Sequence, residues 1–382
     1  MEEVLLTSIC RPKQWKTIAS TDLHENGYPV YGANGKIGFY DTYTHEHPTV
    51  LITCRGATCG TINICEPKSY VNGNAMALDN LSSDVDLYYL KHYLEFRKLD
   101  DVISGSAQPQ ITGQGLSKVK IPLPPLPQQQ KIANILDAAD ALRQNDKALI
   151  AKYDELLKAN INKCFGEALN RDVKSLKSGD TEYLANGFSW YELTDITEVI
   201  SDIDHKMPKS VTHGKLFLSA KDLLDNGELD FSKPKYISEE DFRHLSRKIK
   251  PRKGDVIYSR IGAKLGKARL VKTDHDFIVS YSCCTIRPNH EKVSSIYLRY
   301  ILDSEFTLKQ ASHGTKGIGV PDLGMGEIRS FKIPVPELML GNKLEKELVL
   351  IEQQKAIAQK SLEKSESLFN SLLQKAFKGE LV

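Results

Sequence analysis

Residues separated by 212 positions in this 382-residue chain resemble one another, and a chain that repeats itself in this way has to fold one unit twice. Ile121-Pro122-Leu123-Pro124 falls on Ile333-Pro334-Val335-Pro336, and Lys120 falls on Lys332. Upstream, Pro109 meets Pro321 and Leu116 meets Ile328. Downstream, Leu156 meets Leu368, Ile161 meets Leu373, Lys163 meets Lys375 and Phe165 meets Phe377. An offset that holds from Pro109 to Phe165 requires the segments after the prolines to be equally long. Nearer the N-terminus the match needs small gaps but keeps its order. TVLITCRGATCGTINIC (49–65) resembles DVIYSRIGAKLGKARLV (255–271), each an apolar strand, an Arg, a Gly-containing turn and a second strand. YVNGNAMAL (70–78) resembles IVSYSCCTI (278–286).

The local patterns say what the repeated unit is. Apolar runs near 29–31, 37–40, 49–54, 61–65 and 75–78 are bounded by Gly, Asn and Pro, as short strands are. A helix is predicted over about 86–98, with Leu87, Leu90, Tyr93 and Leu94 on one face, and its counterpart over 294–305. After each X-Pro-X-Pro step, which holds extended backbone and cannot continue a helix, a long helical run begins. From Ile132 the first run places Ile132, Ile135, Ala139, Leu142, Asp146, Leu149, Tyr153 and Leu156 at alternating steps of three and four. The second places Leu344, Leu348, Ile351, Lys355, Ala358, Leu362, Ser365, Phe369 and Leu372 by the same rule. A seam this narrow wants a partner helix, and each copy supplies one. The expected fold class is therefore α+β: two mostly-β domains, each followed by a long helix, the helices forming an antiparallel intramolecular coiled coil with pseudo-two-fold symmetry. A helix over 128–165 makes a rod about 57 Å long at about 1.5 Å per residue. The domain boundaries read as 1–125, 126–170, 171–336 and 337–382.

Composition narrows the function classes. Residues 1–125 carry 11 Lys/Arg against 13 Asp/Glu, and residues 180–336 carry 24 against 22, so any nucleic-acid contact must rely on local patches. RHLSRKIKPRK (243–253) and SRIGAKLGKARLVK (259–272) are the densest. For the first, a solvated charged face is an equal reading; in the second, five cations interleave with glycines in an expected hairpin. Cys10, Cys54, Cys59, Cys65, Cys164, Cys283 and Cys284 form no CxxC pair or His/Cys cluster, so free thiols and no metal are expected. No stretch is long and apolar enough for a membrane span, and the N-terminus lacks a signal peptide's basic start and apolar middle, which points to a cytoplasmic protein with no membrane partner. There is no GxxxxGK[ST] loop, HEHP (45–48) is not HExxH, and GxSxG is missing. Nor is there an Asn-Pro-Pro or Asp-Pro-Pro followed by an aromatic, the tetrapeptide that holds a target adenine in amino-methyltransferases. A binding protein fits better than an enzyme, with no catalytic residue and no cofactor in this chain.

Taken together, GDVIYSRIGAKLGKARLV, the Gly105-Ser106 and Gly314-Thr315 steps, IPLPPLPQQQKIANILD and the helix ends NKCFGE and QKAFKGEL closely resemble the specificity (S) subunit of type I restriction-modification systems, over essentially the whole chain. The resemblance implies that each β domain is a target recognition domain and that the helices are the family's spacer segments. It implies double-stranded DNA as ligand and two modification (methyltransferase) subunits as partners, which bring S-adenosylmethionine and methylate adenine N6. Two restriction subunits, with ATP, Mg and cleavage, are the further partners it allows. One departure stands out: the family's usual Glu-Gln after the prolines is Gln128-Gln129-Gln130 in the first copy and Leu340-Gly341-Asn342 in the second.

Two different domains on a two-fold rod should read a bipartite asymmetric sequence, with half-sites roughly 10 base pairs, or about 34 Å, apart. Base reading needs Arg or Lys for guanine and Asn or Gln for adenine on loops. The DNA-binding candidates in the first domain are Asn34 and Lys36, Arg55 and Thr58, Asn72 and Asn74, and Gln108 and Gln110. In the second they are Arg260, Lys264 and Lys267, Tyr281 and Ser282, and Lys316. The rival from another class is a coiled-coil scaffold whose β domains bind protein partners, kept open by the near-neutral first domain. A self-contained methyltransferase is disfavoured by the missing tetrapeptide.

Overall fold

In the computed structural model, residues 2–33, 35–105, 108–171, 173–205, 207–315 and 320–381 are described. They form two compact units, Met1–Ala148 with Ala358–Val382, and Leu149–Ile357. The division differs from the boundaries read in the sequence because each long helix, Leu126–Phe165 and Leu338–Lys378, contributes to both units. The helices have 40 and 41 residues, the equal length that the constant offset requires.

Each unit repeats one β plan. In the first, a four-stranded antiparallel sheet runs in the order Arg11–Gln14, Ala75–Asp79, Val50–Thr53, Ile62–Ile64. In the second the order is Thr197–Ser201, Cys283–Pro288, Val256–Ser259, Ala268–Leu270. A three-stranded sheet accompanies each, Gly35–Tyr40, Tyr28–Gly32, Tyr70–Val71 in one and Lys235–Ile237, Lys215–Leu218, Phe277–Val279 in the other. In both, the central strand pairs antiparallel on one side and parallel on the other. The central strands are mostly apolar because they are buried: Val50, Ile52, Met76 and Leu78 pack with Leu90 and Leu94 of the helix Leu87–Arg97. Val256, Tyr258 and Ile286 pack in the same way with Leu298 and Leu302 of the helix Ser295–Leu302.

A hydroxyl fixes the proline step in both copies. Tyr89 Oη donates to the carbonyl of Pro122, and Tyr297 Oη to that of Pro334, each at 2.7 Å. Both phenols are buried, and desolvation pushes their pKa values up. The strands carrying these prolines pair only with Glu3–Leu5 and Phe188–Glu192, in two-stranded ribbons where a missing N–H is tolerated. The turn into the helix then differs. Gln129 is fully buried: its Oε1 accepts from the Asp86 N–H at 2.8 Å, and its Nε2 donates to the carbonyls of Asp84 and Pro124 at 2.9 and 2.8 Å. At the matching position Gly341 has no side chain, and the start of the second helix is held by the backbone bonds Glu337 N–H to Gly187 O and Gly341 N–H to Glu337 O, with Leu340 packed against the core.

The seam expected on the second helix is the observed one: Leu348, Ile351, Ala358, Ser365 and Phe369 are buried. On the first helix the frame is corrected. Leu142, Leu149 and Leu156 are 53%, 40% and 45% exposed, while Leu136 is 0% exposed and Leu157 is buried. The facing residues are Ile132, Leu136, Ala139, Arg143, Asp146, Ile150, Tyr153, Leu157, Asn160 and Cys164, each 212 before a position on the second seam or its continuation, Ala376. Apolarity favours Leu142 over Arg143, but the guanidinium of Arg143 lies 4.3 Å from the Phe369 ring centroid and pairs with Asp140, so its stem covers the aromatic while its charge is met. Within the first unit Ile132, Leu136 and Ala139 cluster with Phe369, Leu373 and Ala376, while Asp146 accepts from Ser365 Oγ at 2.8 Å; the two helix segments therefore run antiparallel. In the second unit the polar pair is Lys355–Asp154.

Candidate nucleic-acid interface

The repeated turns are built on one backbone. Gly56 and Gly60 take φ of +94° and +93°, and Gly262 and Gly266 take +89° and +85°, a region that side chains avoid. The Cys54 N–H donates to Asn74 O and the Ile111 N–H to Cys54 O; Arg260 N–H to Ser282 O and Leu323 N–H to Arg260 O are their counterparts. Gly56 N–H to Pro109 O matches Gly262 N–H to Pro321 O. The Arg of one turn is therefore not the Arg of the other. Arg260 occupies the inward position of Cys54, and Arg55 occupies the outward position of Ile261.

In the first unit these bonds gather residues 54–60, 72–74, 104–105 and 108–111 at one end of the sheet, and Thr53 Oγ1 to Ala33 O brings Ala33 beside them. Arg55, Thr58, Asn74, Gln108 and Gln110 are exposed there. Lys36 is half-exposed, over the Phe39 ring and 3.7 Å from Glu66. Asn72 points inward: its Oδ1 accepts from the Ile18 and Gly73 N–H groups, and its Nδ2 donates to Ile18 O. Asn34, Ser106 and Lys316 lie outside the described residues.

In the second unit the candidates are drawn into ion pairs. Arg260, 3% exposed, donates from Nη1 to Asp322 Oδ1 at 2.8 Å and Leu323 O at 3.0 Å, and from Nη2 to Asp202 Oδ2 at 3.1 Å; His205 Nε2 stands 3.1 Å from Nη2. Lys264 and Lys267 share Asp225, at 2.9 and 3.6 Å, and the bond from Lys264 holds that carboxyl below the usual range. Tyr281 stacks on His205, and Ser282 Oγ accepts from the Ala220 N–H. The basic run 243–253 follows the charged-face reading: Lys248 pairs with Asp202 and Asp204, Lys250 with Asp276, and Lys253 with Asp274. Of the other cations in 259–272, Arg269 is buried against Asp303 and Lys272 pairs with Glu228 and Glu352. Asp202, His205, Asp225 and Asp322 escaped the sequence reading because each meets a partner 39 to 62 residues away or acts through one that does.

HEHP also has a structural task. His45 Nε2 lies 2.9 Å from Asp79 Oδ1 and its Nδ1 2.7 Å from Thr44 Oγ1, while the Val71 N–H donates to that same hydroxyl. All seven cysteines are free thiols, six of them buried, and burial pushes Cys10 and Cys283 up to about 12. No helix among the described residues is long and apolar enough to cross a membrane.

The model of the family described as type I restriction modification DNA specificity domain matches residues 1–152 and 191–375, both copies of the repeat. The chain belongs to that family. As a member it is the non-catalytic, DNA-recognising component, with the catalytic activities in partner subunits. It is 22% identical over 338 residues to the type I restriction enzyme MjaVIII specificity subunit of Methanocaldococcus jannaschii, covering 87% of this chain and 79% of the relative. It is 19% identical over 410 residues to the EcoDI specificity subunit of Escherichia coli, covering 97% and 89%. Among solved structures, the type I restriction-modification S subunit from M. genitalium superposes with a TM-score of 0.66 at 17% identity, covering 98% of this chain and 95% of that one. A chain from a structure of a type I system addressing complex assembly and conformational transition gives 0.53 at 16%, covering 100% and 98%. The family places this specificity subunit in an assembly with DNA and other subunits of its system.

Proposed function

We propose that this specificity subunit reads a bipartite asymmetric DNA sequence, one half-site per β domain (1–125 and 171–336), and directs adenine-N6 methylation and restriction by its partners. The observation that carries the reading is the pair of turns with one backbone and different side chains, Cys54-Arg55 in one and Arg260-Ile261 in the other. One scaffold keeps the loops at the same end of the sheet, and the side chains on it present two different sets of donors and acceptors, which is what two unlike half-sites require. Arg55, Asn74, Gln108 and Gln110, exposed in the first, would meet base edges, and Lys264 and Lys267 in the second would meet phosphates, where DNA would compete with Asp225. Two modification subunits bring S-adenosylmethionine; restriction subunits, where they join, bring ATP and Mg. Methylome sequencing of a host with and without the gene should show loss of one bipartite adenine motif, and copurification should recover a methyltransferase subunit. Replacing residues 180–336 with another domain of this type should change one half-site only; a change in both, or in neither, overturns the modular reading.

A further inference from the structure

The first unit serves as an internal control for Arg260. Its turn makes the same backbone bonds with Cys54 in the inward position, a thiol that accepts from Gln14 Nε2 at 2.9 Å. The fold of the turn therefore does not require a guanidinium, and a buried Arg is expensive unless its charge is met. What the Arg260 guanidinium adds to these shared backbone bonds is a side-chain tie to Asp202 and to Asp322-Leu323. Its Nη1 holds Asp322 and Leu323, its Nη2 holds Asp202, and its own N–H is bonded to Ser282. Asp202 also takes Lys248 Nζ at 3.1 Å and stands 3.2 Å from His205 Nε2. The imidazole is thereby held at Nε2 by one partner in either tautomer, as donor to Asp202 or as acceptor from Arg260, while its side chain stays 63% exposed. Its flat face lies on Tyr281, with ring centroids 4.8 Å apart and planes 21° from parallel. An exposed ring pinned at Nε2 and stacked on one face keeps its Nδ1 edge and outer face for a ligand, in a single orientation.

We propose that the His205–Tyr281 stack is the specificity-determining contact of the second unit and that Arg260 is its positioning residue, which never touches DNA itself. The inference rests on the DNA-reading function proposed above. A base edge meets the free edge of the imidazole in the major groove, and Tyr281 sets the depth to which the ring can enter. Among the described residues the corresponding end of the sheet in the first unit carries no buried guanidinium, so the two half-sites are read by different devices: flexible amides and Arg55 in one, a rigid aromatic pair in the other.

The test uses the complete complex with its modification subunits, scoring methylation on a library of sites in which every position of the motif is varied. His205→Ala, an exposed position, should relax discrimination about tenfold or more at one base of one half-site and leave the other half-site unchanged. Arg260→Lys keeps the charge but loses the fork; Asp202→Asn keeps the shape but loses the charge. Both should relax the same base position, and neither should add to the loss once His205 is Ala. Tyr281→Phe should retain the motif, whereas Tyr281→Ala should relax it at that position. An unchanged motif for His205→Ala overturns the proposal. So does a uniform weakening across all sequences with a shallower salt dependence, which is the signature of a phosphate contact. A wild-type complex that methylates no bipartite motif overturns the function itself, a result distinct from either.

Discussion

The two copies of the unit differ most where their backbones agree most. At the turns, paired left-handed glycines and matching hydrogen bonds hold Cys54 and Arg260 in one position, yet one is a small thiol and the other a guanidinium tied to Asp202 and Asp322. At the proline steps, Tyr89 and Tyr297 make the same bond to a proline carbonyl, yet the Gln129 side chain anchors one helix start with three hydrogen bonds, while Gly341 holds the other through its backbone N–H. The lesson is that the repeat preserves chain path and lets side chains diverge. The first copy spends its polar side chains on the joint, the second on the end of the sheet.

Each unit has one tryptophan, Trp15 in the first and Trp190 in the second, so single-Trp variants report unfolding of the two units separately. The largest expected effect is shared by the copies. Leu136→Ala and Leu348→Ala, both at fully buried seam positions 212 apart, should each cost about 2–5 kcal/mol in urea denaturation. Leu142→Ala should cost less than about 1 kcal/mol; a large loss there would restore the frame read from the sequence. Next comes the joint, where the copies should part. Gln129→Ala leaves the Asp86 N–H and two carbonyls unpaired and should cost about 2–3 kcal/mol in the Trp15-reported transition. Gly341→Ala should stay within about 1 kcal/mol of wild type, since the gain in helix propensity is offset by a Cβ 3.3 Å from Pro336 Cγ.

Smaller still, Tyr89→Phe and Tyr297→Phe should each cost about 1 kcal/mol, and equally; unequal losses would show that the proline step is not equivalent in the copies. The smallest effect is on pH. Burial works against the Asp202 carboxylate, but Lys248, His205 and Arg260 outweigh it and hold its pKa below the usual range. A depressed folded pKa gives stability that is present above the unfolded value, about 4, and is lost as the pH falls through the folded one. Trp190 fluorescence should therefore report weakening of the second unit below about pH 4, and Asp202→Asn should flatten that dependence. The first unit, with Cys54 at the matching position, should lack this contribution.

Much of the fold was legible because periodicity is a one-dimensional signal. The offset of 212, the proline steps and the seam through Leu348, Ile351 and Phe369 all appear in order along the chain. The frame of the first helix was misread because Ile132, Ala139, Asp146 and Tyr153 belong to two seams at once, and hydropathy alone prefers Leu142 to Arg143. Carrying the second seam back by 212 residues would have found it, since the repeat already aligned Leu344 with Ile132. Of the candidate site, Arg55, Asn74, Gln108 and Gln110 stand exposed at one end of the sheet as residue type and loop signals suggested, while Asn72 and Arg260 turned inward.

By itself, then, the sequence determined the duplication, the α+β plan, the equal helices and the family. Those rest on local propensity and spacing, which the chain carries wherever it folds. Only the tertiary structure decided that Arg260 faces Asp202 and Asp322 while Arg55 faces solvent. A one-residue shift along extended backbone turns a side chain to the opposite face, and the partners that make the buried charge tolerable lie 58 and 62 residues away, where no local pattern reaches.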